Sequence, residues 1–329
     1  MTGNFKVVIT DSNFPTNEPE RSVLIKIRAS VMKYQCKTED EVIKVAKDAD
    51  GLLVQFAPIT RKVINSLDKL RAIGRYGIGV DNVDLPAATE RGIQVVNTIY
   101  NIWDVADHTV TLLLAINRKI PQIYQATRAK RWDWREFQPI VRMKDSTVGI
   151  IGFGRVGKEV AERLRGFGAH LLGYDPFVPE QVFKEMGVDK VHLEKLLRDS
   201  DFITLNSALS KENYHMIDEP QLRMMKKTAY MVNTSRGPLI NEAALIKALK
   251  ERWISGAALD VLEEEPPKLD NPLLELNNVI ISPHIAWYSQ GTLAEIQTMC
   301  AEDVARILVG EQPRNLVNRE VMSKLGKKA

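Results

Sequence analysis

The sequence predicts an α/β protein of two doubly wound parallel-sheet domains, and three observations predict it. The first is length: 329 residues exceed what one compact core usually holds, so two domains are expected. The second is alternation, in which short apolar, β-branched runs recur between longer stretches of helical hydrophobic period, the mark of parallel β-α units. The third is that this alternation occurs twice, once before and once after a long helical stretch.

In the first hundred residues the strand candidates are "KVVIT", "ASVM", "GLLVQ", "LRAIGRY" and "IQVVN", separated by helix-like patterns such as "TEDEVIKVAKDA" and "NVDLPAATERG". One helical stretch is then expected from about Asn101 to Arg128, centred on "VADHTVTLLLAI". The alternation resumes with "STVGIIG", "HLLGYD", "DFITLN", "AYMVN", "SGAALDV" and "NVIIS". After Trp287, "GTLAEIQTMCAEDVARILVG" reads as one amphipathic helix long enough to return to the first domain. The expected division is 1–100 with 295–329 as one domain and 101–294 as the other. No Gly/Ser linker interrupts the chain, so the crossovers are expected to be helical.

Composition narrows the function. With 44% hydrophobic and 26% charged residues the chain has the make-up of an ordinary globular protein. No run approaches the roughly eighteen apolar residues of a membrane span, and "MTGNF" passes into "KVVIT" without a signal-peptide pattern. The expectation is a cytoplasmic protein with no membrane partner. Cys36 and Cys300 form neither a metal-ligand spacing nor a disulfide framework, which fits a reducing compartment and leaves no metal site in view. The net charge of +3 is spread over 45 basic and 42 acidic residues, so nucleic acid is not the expected partner.

The most specific local motif is "VGIIGFGRVGKEVAERLRGFGAHLLGYD". Gly152, Gly154 and Gly157 fit G-x-G-x-x-G, follow an apolar strand and open a helix, which is the context a dinucleotide fingerprint needs. The first glycine permits the tight turn, the second lets backbone approach a pyrophosphate, and the third lets helix and strand pack closely. The helix N-terminus offers free N–H groups to the phosphates. Asp175 ends the next strand, where a carboxylate accepts hydrogen bonds from a ribose diol and repels a 2′-phosphate, so NAD is favoured over NADP. The motif identifies the second domain as a Rossmann NAD domain inserted into the first.

Three polar residues follow later strand candidates: Arg236 in "MVNTSRG", Glu265 in "LDVLEEEPP" and His284 in "IISPHIAW". Singly, each has a plain structural reading as turn arginine, solvated acid or strand cap. Together, on the sheet edge where ligands of open α/β folds bind, they supply a cation, a carboxylate and an imidazole. That set suits hydride transfer to or from a 2-keto or 2-hydroxy acid. Arg236 holds the substrate carboxylate or polarises its carbonyl. His284 exchanges a proton with the C2 oxygen, and Glu265, if it touches the imidazole, favours the protonated ring.

The order "GFGRVG", "NTSRG", "GAALDVLEEEPP", "SPHIAW", with "GRYGIGVDNVDL", "VADH" and the ending "NLVN", resembles the D-isomer-specific 2-hydroxyacid dehydrogenase family over essentially the whole chain. The resemblance implies catalytic Arg236, Glu265 and His284, and NAD as cofactor. It implies cofactor contacts at Gly152, Gly154, Arg155, Val156, Gly157, Asp175, Thr234 and Asp260. It also implies a flavodoxin-like substrate domain made from both chain ends, a central nucleotide domain, and a homodimer formed largely through the latter. His108 is then expected to serve core and dimer structure. Trp287 and Arg75 resemble the C-terminal-binding-protein group, with Trp287 as a substrate wall, Arg75 facing substrate, and the backbone of Ile78 and Gly79 as the carboxylate-binding loop. "NSALS" departs from the family's usual stretch, with Ala208 where proline is common.

Two function classes follow. One is an NAD-dependent 2-hydroxyacid dehydrogenase or 2-keto acid reductase; the other is an NAD(H)-sensing interaction protein that keeps the site. The Arg, Glu and His set favours the enzyme. A formate dehydrogenase is less favoured, because that resemblance leads to a neutral amide in place of Glu265.

Overall fold

A computed structural model describes residues 5–98 and 102–326. The chain forms two compact units, Met1–Tyr100 with Ser289–Ala329, and Asn101–Tyr288.

The first stretch runs β1 (Lys6–Ile9), α1 (Glu18–Leu24), β2 (Ser30–Lys33), α2 (Glu39–Ala46), β3 (Gly51–Val54), α3 (Arg61–Ser66), β4 (Ala72–Arg75), α4 (Leu85–Glu90) and β5 (Gln94–Asn97). The second unit runs α5 (Ile102–Asn117), α6 (Ile120–Arg128), β6 (Thr147–Ile151), α7 (Arg155–Arg165), β7 (His170–Tyr174), α8 (Glu180–Glu185), β8 (Asp189–Lys190), α9 (Leu193–Asp199) and β9 (Phe202–Leu205). It continues with α10 (Glu219–Met224), β10 (Tyr230–Asn233), α11 (Glu242–Lys250), β11 (Gly256–Leu259) and β12 (Val279–Ile281). The chain then returns to the first unit with α12 (Gln290–Leu308) and α13 (Val321–Lys324).

The first unit carries a five-stranded parallel sheet of order β2-β1-β3-β4-β5, the flavodoxin-like arrangement. β3 is buried at all four positions, as expected of a strand covered on both faces. α12 lies close against this sheet because β4 carries Gly74, where a Cβ would stand 2.7 Å from Cys300 Sγ and 2.8 Å from Val304 Cγ2. The end of the chain guards the sheet edge: Val317 N donates to Val95 O at 2.8 Å, and Asn318 Oδ1 accepts from Val95 N at 2.8 Å. That explains "NLVN" physically, since an uncovered edge strand invites foreign pairing.

The second unit carries a seven-stranded sheet of order β12-β11-β10-β9-β6-β7-β8, again with every pairing parallel. Strand order reverses between β6 and β9. That is the switch point at which open α/β sheets form their ligand crevice, the Rossmann arrangement. β9 and β11 are buried throughout.

Three details depart from the sequence reading. The helix expected over 101–128 is two helices, because Lys119 adopts a left-handed backbone (φ 53) and Pro121 opens α6, where its missing N–H does no harm. Asn101, the expected start, lies outside the described residues. β8 was not foreseen: two exposed polar residues carry no periodic signal. The second unit boundary falls at Ser289 rather than 295, because Ser289 caps α12 by accepting from Thr292 N and the whole helix packs with the first unit. Among the described residues no helix is long and apolar enough to cross a membrane.

Candidate active site

β10, β11 and β12 are neighbours in the second sheet, so the turns leaving their carboxyl ends stand side by side. The turn after β10 carries Arg236. Asn233, the last residue of that strand, clips the turn by accepting from Ser235 N at 3.0 Å and donating through Nδ2 to Arg236 O at 2.8 Å. The Arg236 guanidinium donates through Nη1 to Ser235 O at 2.7 Å, which folds the side chain over its own turn. Gly237 follows at a point where a Cβ would lie 1.9 Å from Leu262 O, so the Arg236 turn and the loop after β11 are in close contact.

That second loop holds Glu265. Its Oε1 accepts from Leu262 N at 2.9 Å, and its Oε2 lies 2.6 Å from His284 Nδ1. The acidic run divides its partners: Glu263 pairs with His215, Glu264 with Lys268 at 3.2 Å, and Glu265 with His284. A carboxylate accepts only, so Nδ1 of His284 carries a hydrogen and Nε2 is the nitrogen available for proton exchange. Both side chains are about one third exposed, at 33% and 34%.

His284 has a left-handed backbone, φ 51, a conformation that costs a non-glycine residue about 1–3 kcal/mol and persists only where its surroundings enforce it. Asp260, just past β11, does the enforcing. Its carbonyl accepts from His284 N at 2.8 Å, and its carboxylate accepts from Ile285 N at 3.0 Å, Ala286 N at 2.9 Å and Ser282 Oγ at 2.5 Å. Burial pushes the Asp260 carboxyl up, but hydrogen bonds from His108, Ser282 and the two amides outweigh it and hold the group below its ordinary value. Trp287 closes the loop by donating Nε1–H to His284 O at 2.9 Å.

The glycine loop lies at the switch point. Gly152 has φ 86, and a Cβ there would meet Ser207 Oγ at 2.5 Å. A Cβ on Gly157 would lie 2.1 Å from Gly152 O, so helix α7 approaches its strand only because this residue is glycine. At Gly154, the N-cap of α7, a Cβ would meet nothing within 4 Å, and this open side of an eleven-residue helix N-terminus suits a pyrophosphate. Arg155 is exposed beside it and Val156 half-buried. Asp175 is half-buried, its Oδ2 accepting from Phe153 N and its Oδ1 from Phe177 N, both at 2.9 Å, which fixes a carboxylate beside the loop for a ribose diol. These residues fit NAD.

Two expected cofactor contacts are already engaged within the protein. Thr234 Oγ1 lies 2.6 Å from Thr109 Oγ1, and the Asp260 side chain is wholly buried and occupied with the His284 loop. Sequence reasoning passed over Ser282 and read His108 as core and dimer structure, whereas both meet Asp260. The signal available was a serine two residues before the candidate histidine.

In the first unit, Arg75 Nη1 donates to Tyr76 O at 2.9 Å and packs over Gly77, where φ is 139 and a Cβ would overlap the guanidinium. Gly77 N donates to Thr98 Oγ1 at 2.7 Å, and Asn97 Nδ2 donates to Ile78 O at 2.6 Å, so the loop carrying exposed Ile78 and half-buried Gly79 is pinned from β5 and the residue after it. Neither cysteine serves as a nucleophile. Burial, with the charges of Glu41 and Asp11, pushes the Cys36 thiol up to about 11, and burial raises Cys300 as well.

The profile described as "D-isomer specific 2-hydroxyacid dehydrogenase, NAD binding domain" matches residues 110–286. The chain belongs to this family. It is an NAD-using oxidoreductase of the 2-hydroxyacid dehydrogenase class. A glyoxylate reductase of Korarchaeum cryptofilum is 44% identical over 85% of this chain and 86% of its own length. A D-3-phosphoglycerate dehydrogenase of Methanocaldococcus jannaschii is 42% identical over 98% of this chain, which spans 61% of that longer protein. Among solved structures, a D-lactate dehydrogenase from Aquifex aeolicus, complexed with NAD and lactic acid, superposes with TM-score 0.87 at 28% identity, covering 95% of this chain and 99% of that one.

Proposed function

We propose that this protein reduces small 2-keto acids to 2-hydroxy acids with NADH, that it also runs the reverse oxidation, and that glyoxylate is the first substrate to try. The observation that carries the reading is the 2.6 Å contact of His284 Nδ1 with Glu265 Oε2, on the sheet edge that also bears Arg236 and the glycine loop. Bound cofactor supplies the hydride. His284, oriented through Nδ1, gives the proton on Nε2 to the C2 oxygen during reduction and recovers it during oxidation. Arg236 presents a permanent cation to the substrate's carboxylate or carbonyl.

Trp287 is assigned to the substrate side-chain wall. The backbone of Ile78 and Gly79, with Arg75, is assigned to the substrate carboxylate, and the first unit is accordingly the substrate domain. The adenosine end is assigned to Asp175, with Arg155 and Val156 at the phosphates. Glyoxylate is placed first because relatives matched over most of their own length carry the name glyoxylate reductase. The second unit exposes Tyr124, Trp132 and Trp134, 64%, 91% and 74% open, and we assign this aromatic surface to a homodimer contact. Two unpaired, buried thiols fit work in the reducing cytoplasm.

The test is NADH oxidation with glyoxylate, pyruvate, hydroxypyruvate, phenylpyruvate and 4-methylthio-2-oxobutyrate, beside NAD reduction with 3-phosphoglycerate. Turnover of the phosphorylated acid alone would remove the glyoxylate assignment. The second reading, an NAD(H)-sensing protein like the C-terminal-binding-protein group, rests on Trp287 and Arg75. It becomes the better one if no acid is turned over while NADH still binds. Light scattering that reads a monomer mass would remove the dimer.

A further inference from the structure

His108 lies in α5, and the chemistry proposed above gives it nothing to do. Its Nε2 stands 3.0 Å from Ser282 Oγ and 3.5 Å from Asp260 Oδ1. Ser282 has one hydroxyl proton, and at 2.5 Å the Asp260 carboxylate takes it. Toward His108 the serine oxygen is therefore an acceptor, so Nε2 of His108 must carry a hydrogen. That N–H starts a chain of hydrogen bonds from the helix through Ser282 to Asp260, and from Asp260 to the amides of His284, Ile285 and Ala286. The chain ends on the loop that holds His284 in its left-handed conformation.

We propose that His108 is a positioning residue for keto acid reduction: its Nε2–H fixes the Ser282–Asp260 pair on which the His284 loop is seated. This rests on the reading of His284 as the proton donor. An interior histidine that merely fills space has no need of a buried carboxylate pair, and here one ring nitrogen is committed to it. The surroundings leave the role to His108. Asp260 meets it from β11 and Ser282 from β12, while the neighbouring Thr234 after β10 is occupied with Thr109. On α5 itself, Asp104 stands one turn earlier, and Asp107 is paired with Arg163 of α7. Among the described residues His108 is the one basic side chain paired with Asp260.

His108 is among the donors that hold the Asp260 carboxyl below its ordinary value. Without it that carboxyl takes up a proton at higher pH and grips the Ile285 and Ala286 amides less well. The acid-side loss of reduction then begins at higher pH than in the parent.

The experiment uses the full chain with NADH and the keto acid the parent turns over fastest, comparing His108→Phe, which keeps a ring without the donor, with His108→Gln, which restores an N–H. Measurements are kcat, KM, NADH affinity, the pH profile of kcat, melting temperature, and amide exchange over residues 283–288. The Phe variant is expected to lose about 10- to 100-fold in kcat through misplacement of His284, with NADH affinity within about twofold. Its acid limb moves to higher pH and exchange at 283–288 quickens, and Gln recovers most of the kcat and returns the acid limb. Parental kcat, pH profile and exchange in His108→Phe would overturn the proposal. So would equal losses in both variants that track melting temperature, with normal turnover per folded molecule. If the parent turns over no keto acid, the functional reading fails, while the exchange comparison still decides whether His108 seats the loop.

Discussion

His284 and Glu265 meet through Nδ1 and Oε2 at 2.6 Å, although nineteen positions separate them in the chain. The contact orients the ring and leaves Nε2 as the nitrogen available for proton exchange. The histidine after the β12 strand is thus built into a pair, and a cap of that strand would need no such partner.

His284→Asn keeps the size and some hydrogen bonding but cannot carry the proton. kcat for keto acid reduction should fall by about 10²- to 10⁴-fold with NADH affinity little changed. A strand cap would give the opposite result, a lowered melting temperature with near-normal turnover per folded molecule.

Glu265→Gln replaces the carboxylate that meets His284 Nδ1 with an amide. The amide can turn its NH2 toward the ring and release it from its orientation, so kcat for reduction should fall by about 10- to 100-fold with NADH affinity little changed. A variant with parental kcat would separate Glu265 from the proton chemistry. Glu263 and Glu264 would be poor substitutes, since they are paired with His215 and Lys268.

Asp175 accepts from the amides of Phe153 and Phe177, so it anchors its own loop besides offering oxygen to a ribose. The parent should prefer NADH over NADPH by at least about tenfold in kcat/KM, about 1.4 kcal/mol. Asp175→Asn keeps one of the two acceptor oxygens for the loop while removing the charge, and should relax the preference. Equal kcat/KM for the two cofactors in the parent would end the assignment.

Much of this was legible because glycine and strand patterns are local. Gly152 and Gly157 mark positions where a side chain would collide, and β9 and β11 announce two-sided burial by being almost wholly apolar. Arg236, Glu265 and His284 were legible because each lies in the turn leaving a strand, three, six and three residues past the ends of β10, β11 and β12. What was not legible depends on contacts across the fold. The break at Lys119 is set by one left-handed residue, and β8 has no side-chain signal. Asp260 was expected from the resemblance to be a cofactor contact, and nothing local in the sequence marks it as the seat of a loop. Only the folded loop reveals that it bonds backbone 24 to 26 residues further along, just past β12.

Trp287 offers two roles that one substitution would confuse. Its ring is assigned to the substrate wall, and its Nε1–H holds His284 O at 2.9 Å. Trp287→Phe keeps an apolar ring but loses the tie, whereas Trp287→Ala loses both. If the wall matters, Ala should lose about 1–3 kcal/mol in kcat/KM with aromatic or thioether keto acids and much less with glyoxylate. If the tie matters, Phe should already lower kcat on every substrate alike. Parental kinetics in both variants would take Trp287 out of the site.

Gly237 tests whether the turn that carries Arg236 and the loop that carries Glu265 must touch. A Cβ on this residue would lie 1.9 Å from Leu262 O and 2.5 Å from Glu263 N, both main-chain atoms that no side-chain rotation can clear. Gly237→Ala therefore has to push one loop away from the other, with an overpacking cost of about 1–3 kcal/mol read as a lowered melting temperature. The displacement also moves Leu262 N, which holds Glu265 Oε1 at 2.9 Å, so the Glu265–His284 pair is disturbed with it. kcat should then fall by more than NADH affinity, because Gly152, Gly154 and Gly157 belong to a different loop. A variant with unchanged melting temperature and unchanged kcat would mean that the two loops can separate freely, and that their contact does not contribute to the alignment of Arg236, Glu265 and His284.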